Sequence, residues 1–244
     1  MVLGILTAIA ACPAIIGTTE AIQQGQKSNA REQHRGKKTN LIIKLPGAHT
    51  YRPKFEGAVV VLQDNKLYVA HADCFQLDHA HPFSGYYLPH PQNQSKWKKA
   101  GWKGEGLVST VNEQNMLNWV YVDSNTYEVK YGVRAQAQDH LVGPWDCTQI
   151  DRRVTLEGWE GFVLVQEDEE KDMWALYFDK DDDGLSGQGK MGDVETNGGQ
   201  RRRMLEIQLV RAEMEKTRYE AFEERRERLR AIAVKQKQAA ESQG

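Results

Sequence analysis

The chain has 244 residues, enough to bury one core and compatible with one domain or two. Hydrophobic residues make up 40% and charged residues 27%, a soluble globular mix, and a formal net charge of −2 excludes a global pull toward nucleic acid. The three cysteines, Cys12, Cys74 and Cys147, are widely spaced without a C-x-x-C pair. That argues against a disulfide framework and for a reducing, cytoplasmic setting.

Residues 1–18 carry no charged side chain, and a basic tract follows at Lys27, Arg31, Arg35, Lys37 and Lys38. A secretory signal needs a positive start and a small-residue cleavage site after a long enough apolar stretch, and neither condition is met. A spanning helix needs roughly 20 apolar residues, and this run is shorter and broken by Pro13. The expectation for residues 1–38 is an apolar helix, kinked near Pro13, with a basic collar. Its apolar side chains could dock on the protein's own core or on a partner subunit. The favoured expectation is a bilayer interface, with Leu3, Ile5, Leu6, Ile9, Ile15 and Ile16 inserted and the five basic residues drawn to anionic lipid. Each such charge contributes about 1 kcal/mol near an anionic surface.

Residues 39–210 read as an all-β domain: short β-rich runs between turn residues, with no sustained 3.6-residue period. Strands are predicted at 41–45, 58–62, 67–71, 106–111, 119–123, 127–133, 153–157, 161–166, 174–178 and 205–209. The last alternates, with Leu205, Ile207 and Leu209 on one face and Glu206 and Gln208 on the other. Residues 77–100, with Pro82, Pro89 and Pro91, read as a long excursion from the β core.

Three segments resemble one another, each running aromatic-x-Gly, apolar strand, polar turn, and a strand centred on Tyr. They start at Phe55, Trp102 and Trp159, 47 and then 57 residues apart. A hairpin that buries one face only against its copies would read this way. The fold expected is therefore an antiparallel β-sandwich or barrel, with a pseudo-threefold, trefoil-like barrel as the alternative.

Candidate chemistry is sparse. His71, Asp73, His79 and His81 form the densest group of metal-capable side chains, and i,i+2 spacing on extended chain would put each pair on one face. Such a set suits zinc in a metal-assisted hydrolase, but the spacing matches no established ligand motif. Asp179, Asp181, Asp183 and Gly184 imitate the first half of a calcium loop; position twelve is Lys190 where a bidentate Glu belongs. No cofactor is expected, zinc and calcium being the only cofactor chemistry these residues suggest. Lys96, Trp97, Lys98, Lys99 and Trp102 interleave charge with aromatic rings, a pattern that can track single-stranded nucleic acid or sit at a lipid interface. The bland alternative is tryptophans capping the β core.

Residues 211–244 are predicted as a long charged helix, with Glu and Arg or Lys alternating at helical spacing, as in Glu223–Arg226 and Glu227–Arg230. Its narrow apolar stripe leaves it free to lie on the domain, pair as a coiled coil or meet a partner protein.

The stretches GWKGEGLVSTV, LNWVYVDSNTYEVKYGVRA, GPWDCT, EGWEGFVLV and WALYFDKDDDGL resemble an uncharacterised protein family of filamentous ascomycete fungi. The resemblance covers nearly everything before the charged tail. It implies a fungal source and carries no activity, cofactor or catalytic residue. Together these readings favour a non-enzymatic binding or scaffold protein held peripherally at a membrane, ahead of a hydrolase or a nucleic-acid binder.

Overall fold

A computed structural model describes residues 34–71, 80–110, 117–185 and 202–213. The chain divides into two units, Met1–Lys37 and Lys38–Gly244. Of the first unit the structure describes one 3-10 turn, His34–Gly36, so the predicted apolar helix and its membrane-contacting residues from Leu3 to Arg31 lie outside the described residues. The predicted tail helix beyond Glu213 lies outside them as well.

The second unit is built from strands. Strand β1 (Thr39–Lys44) leads through a one-turn helix, α1 (Arg52–Phe55), into the hairpin β2 (Val59–Gln63) and β3 (Lys66–Ala70). Next come β4 (His81–Pro82), β5 (Gly85–Pro89), the helix α2 (Gln94–Lys99), and the hairpin β6 (Glu105–Thr110) and β7 (Leu117–Val122). Strand β8 (Val129–Gly132), helix α3 (Arg134–Ala137) and a small ribbon of β9 (Trp145–Cys147) and β10 (Val154–Leu156) follow. The hairpin β11 (Phe162–Asp168) and β12 (Met173–Phe178) precedes β13 (Met204–Glu206) and β14 (Gln208–Glu213).

Seven of these strands close on themselves in the order β1, β2, β3, β8, β7, β6, β5 and back to β1. Closure removes the open edges that a flat sheet would leave. The hairpin β11–β12 joins the ring where Ala175 pairs with Tyr68, and β14 runs the length of β1 from Thr39↔Glu213 to Lys44↔Gln208. Between the two expectations, sandwich and barrel, the chain forms the barrel.

The internal echoes are real hairpins. Tyr68, Tyr121 and Tyr177 lie on β3, β7 and β12, and all three are buried outside the main core. Their flanking residues, Leu67 and Val69, Val120 and Val122, Leu176 and Phe178, all face the main core with Trp145 and Trp174. The same position of the repeated segment thus faces the same way three times, which is the pseudo-threefold alternative.

All ten predicted strands are present, with two corrections nearby. Residues 77–100 are not an excursion from the barrel: β5 is one of its staves, paired with β6 and touching β1. Gly85 and Pro89 disguise it, and the glycine is required because the Phe83 ring and the Val108 carbonyl occupy the space of a Cβ. The helix predicted from Arg211 does not begin there either. Arg211 continues β14, its side chain buried, Nε donating to Thr39 Oγ1 at 3.0 Å and the guanidinium 4.4 Å from the centre of the Tyr87 ring. The predicted 205–209 strand faces as expected but divides at Ile207, whose two sides pair with β11 and β1.

Candidate functional site

Lys66 and Tyr68 share one face of β3, while Leu67 and Val69 fill the barrel. Two neighbouring pairings bring partners to that face: Lys66↔Lys130 on β8 and Glu128↔Tyr177 on β12. Lys66 Nζ therefore lies 2.5 Å from Glu128 Oε1 and 2.6 Å from Glu167 Oε1. The Tyr177 hydroxyl donates to Glu167 Oε1 at 2.6 Å, and the Lys66 ammonium sits 5.6 Å from the Tyr177 ring centre. Lys130 Nζ bridges Glu128 Oε2 at 2.8 Å and Asp123 Oδ2 at 2.9 Å, and Thr126 Oγ1 donates to Glu128 Oε2.

This network borders a cavity of about 350 Å³ lined by Lys66, Glu128, Glu167, Asp168, Met173 and Arg202. The Arg202 Nε is buried there without a hydrogen-bond partner. Burial pushes the Tyr68 and Tyr177 hydroxyls well above the usual phenol range, helped by the charge of Glu167. Burial alone would raise the carboxyls of Glu128 and Asp123, but hydrogen bonds from Lys130, with Lys66 on Glu128 and the Asn125 amide on Asp123, outweigh it and lower both. Lys130 is raised in turn: burial works against its charge and its two carboxylates prevail. Each displaced group moves away from neutrality, so these are fixed charges and fixed dipoles rather than poised acids and bases. The arrangement suits recognition of a polar ligand by donors and acceptors.

The residues predicted as metal ligands are only partly described. The Nε2 proton of His71 donates to the Asp172 carbonyl at 2.9 Å, leaving that nitrogen no lone pair for a metal. His81 is an exposed residue of β4, and Asp73 and His79 lie outside the described residues. No group of three or more His, Cys, Asp or Glu side chains suited to a metal occurs among the described residues. In the calcium-like segment, Asp179 turns inward and accepts from the backbone amides of Asp183 at 3.2 Å and Gly184 at 2.8 Å, closing the loop on itself. Lys190 lies outside the described residues.

Trp97 is buried 5.3 Å from the His90 ring centre, in a second apolar cluster with Val108, Trp119 and Tyr121. Trp102 is half-buried over Gly158. Lys96, Lys98 and Lys99 are exposed on α2. The structure thus separates what the sequence interleaves: rings inward, lysines outward. Lys37 and Lys38 fall at the junction of the two units and are exposed, whereas Arg35, predicted to face lipid, is buried in the 3-10 turn.

The Lys66–Glu128–Glu167 group escapes sequence reasoning because its members stand 62 and 101 residues from Lys66. A charged residue at a strand end two positions before an outward Tyr was the available signal.

A closed barrel with a threefold echo of hairpins defines a β-trefoil architecture. Residues 17–215 match the family model of the fungal beta-trefoil domain, and the chain belongs to that family. No curated protein and no solved structure matches the chain. The trefoil domain fits a non-enzymatic binding or scaffold role. Among the described residues no helix is long and apolar enough to cross a membrane.

Proposed function

We propose that this protein is a non-enzymatic binding or scaffold protein whose β-trefoil domain is held at an anionic membrane surface by residues 1–38. The observation that carries this reading is the uncharged run over residues 1–18 with the basic tract from Lys27 to Lys38 behind it. The barrel interior is already filled by its own strands, with Leu41, Ile43, Val60, Leu107, Val120 and Leu164 almost wholly buried against one another. A run of Leu, Ile and Val that a core does not need gains most from another apolar phase, and the basic collar selects an anionic one. The charged cleft supports a non-catalytic role, since its displaced groups do not titrate near neutrality.

Flotation of the full chain with phosphatidylserine-containing and with pure phosphatidylcholine vesicles tests the reading. The protein is expected to rise with the anionic vesicles, less so as salt increases, and to lose them with Ile5→Asp and Ile9→Asp. A full chain that ignores both vesicle types, or a double variant that still floats, overturns it.

A further inference from the structure

The helix α2 presents Lys96, Lys98 and Lys99 to solvent, with exposed Lys103 four residues on. Residues 80–104 contain no Asp or Glu at all. Among the described residues, no ion pair uses Lys96, Lys98 or Lys99. Four other lysines of this domain are answered: Lys54 by Asp172, Lys130 by Asp123 and Glu128, Lys171 by Asp168 and Lys180 by Glu157. Lys96, Lys98 and Lys99 therefore present three positive charges together with no carboxylate pairing them among the described residues.

The patch is also rigidly mounted. Trp97 nails α2 to the barrel through His90, Val108 and Trp119, and the ring edge lies against the backbone at Gly143. The Lys98 stem packs over Gly104.

We propose that this α2 face, Lys96, Lys98 and Lys99 with the exposed Lys103 four residues on, is a second contact for an anionic lipid surface, acting together with the leader. The inference rests on the membrane reading above, and adds a further electrostatic contact to the leader's apolar run and basic collar. Lipid is favoured over single-stranded nucleic acid because the two tryptophans that could stack on bases are spent, Trp97 in the core and Trp102 on Gly158. What remains is compact, hydrated ammonium charge, suited to a diffuse anionic surface rather than to forked recognition of one group.

Vesicle binding by three full-length proteins tests the proposal: the parent, Lys96→Glu/Lys98→Glu/Lys99→Glu, and Ile5→Asp/Ile9→Asp. The lysine variant is expected to bind phosphatidylserine vesicles about 100-fold more weakly, with a shallower salt dependence and an unchanged thermal melt. If its melt drops, Lys96→Gln/Lys98→Gln/Lys99→Gln carries the same test. A lysine variant that binds like the parent, while the leader variant does not bind, overturns this proposal and leaves the membrane reading standing. A leader variant that binds like the parent, while the lysine variant does not, overturns the leader's role and keeps the patch. Parent protein that prefers a single-stranded oligonucleotide over the vesicles, through these lysines, overturns the proposal in favour of nucleic acid.

Discussion

The indole of Trp102 covers Gly158: a Cβ built on that glycine would stand 2.7 Å from Trp102 Cη2. The aromatic that opens the second hairpin thus seals the bare backbone just before the third. Gly158 also holds φ of +80°, a conformation that side-chain-bearing residues avoid. Gly158→Ala should therefore cost about 1–3 kcal/mol through clash and backbone strain together. Pairing it with Trp102→Ala removes the clash, so the double variant should be more stable than the sum of the two singles. Urea unfolding of the four proteins measures the coupling.

Lys66 holds two carboxylates apart at 2.5 and 2.6 Å, with all three side chains mostly shielded from solvent. Lys66→Ala leaves Glu128 and Glu167 facing each other across Tyr177, and should destabilise by about 3 kcal/mol. The loss belongs to Glu167, left without its cation, and to its repulsion by Glu128, which keeps Lys130, rather than to the pairs themselves. Lys66→Met with Glu128→Gln and Glu167→Gln should consequently recover most of it, and chemical denaturation of both variants decides the matter.

The same network sets the acid limit of the fold. Glu128 and Asp123 have carboxyls lowered in the folded state, after burial is outweighed by Lys130 and its neighbours. A group lowered on folding contributes fully above its unfolded value, about 4.3 for Glu and 3.9 for Asp, and loses that contribution as pH falls through the folded value. The contribution of this network should be constant from neutrality to about pH 5 and decline below it, on top of an earlier loss from His90, whose lowered pKa makes the unfolded chain take up the extra proton below about pH 6.5. Glu128→Gln should start lower at pH 7 and fall less steeply between pH 5 and pH 2.5, as urea midpoints across that range would report.

How far residues betray structure differs sharply along this chain. The three Tyr-centred hairpins are legible because alternation and repetition reinforce each other: Leu67, Tyr68 and Val69 say the same thing as Leu176, Tyr177 and Phe178. Strand β5 is not, since Gly85 and Pro89 are turn residues everywhere except where a Phe83 ring demands a missing side chain. Arg211 misleads in the other direction. In a run of alternating Arg and Glu it looks like a solvated helical residue, yet it is buried over Tyr87 and bonded to Thr39. The charged cleft is illegible for a simpler reason: only ring closure, through single pairings such as Lys66↔Lys130, gathers its members.

Trp97 separates a structural from a recognition role for the lysine-rich helix. Its ring is 8% exposed, tilted against His90 and packed on Trp119 and the backbone beside Gly143. His90 donates nothing that compensates: its Nδ1 accepts from the Asn93 amide at 3.2 Å and its Nε2 is buried without a partner. Burial, reinforced by the charge of Arg134, lowers its pKa and keeps the ring neutral, which suits its apolar surroundings. Trp97→Ala should cost about 3–5 kcal/mol and detach α2, because a cavity that large cannot collapse beneath a two-turn helix. Trp97→Phe should restore most of the stability. If Trp97 instead served as a stacking platform, Trp97→Ala would leave the melt unchanged and abolish oligonucleotide binding. Thermal melts of both variants, read beside the binding of Lys96→Gln/Lys98→Gln/Lys99→Gln, distinguish a ring that anchors the patch from a ring that reads a ligand.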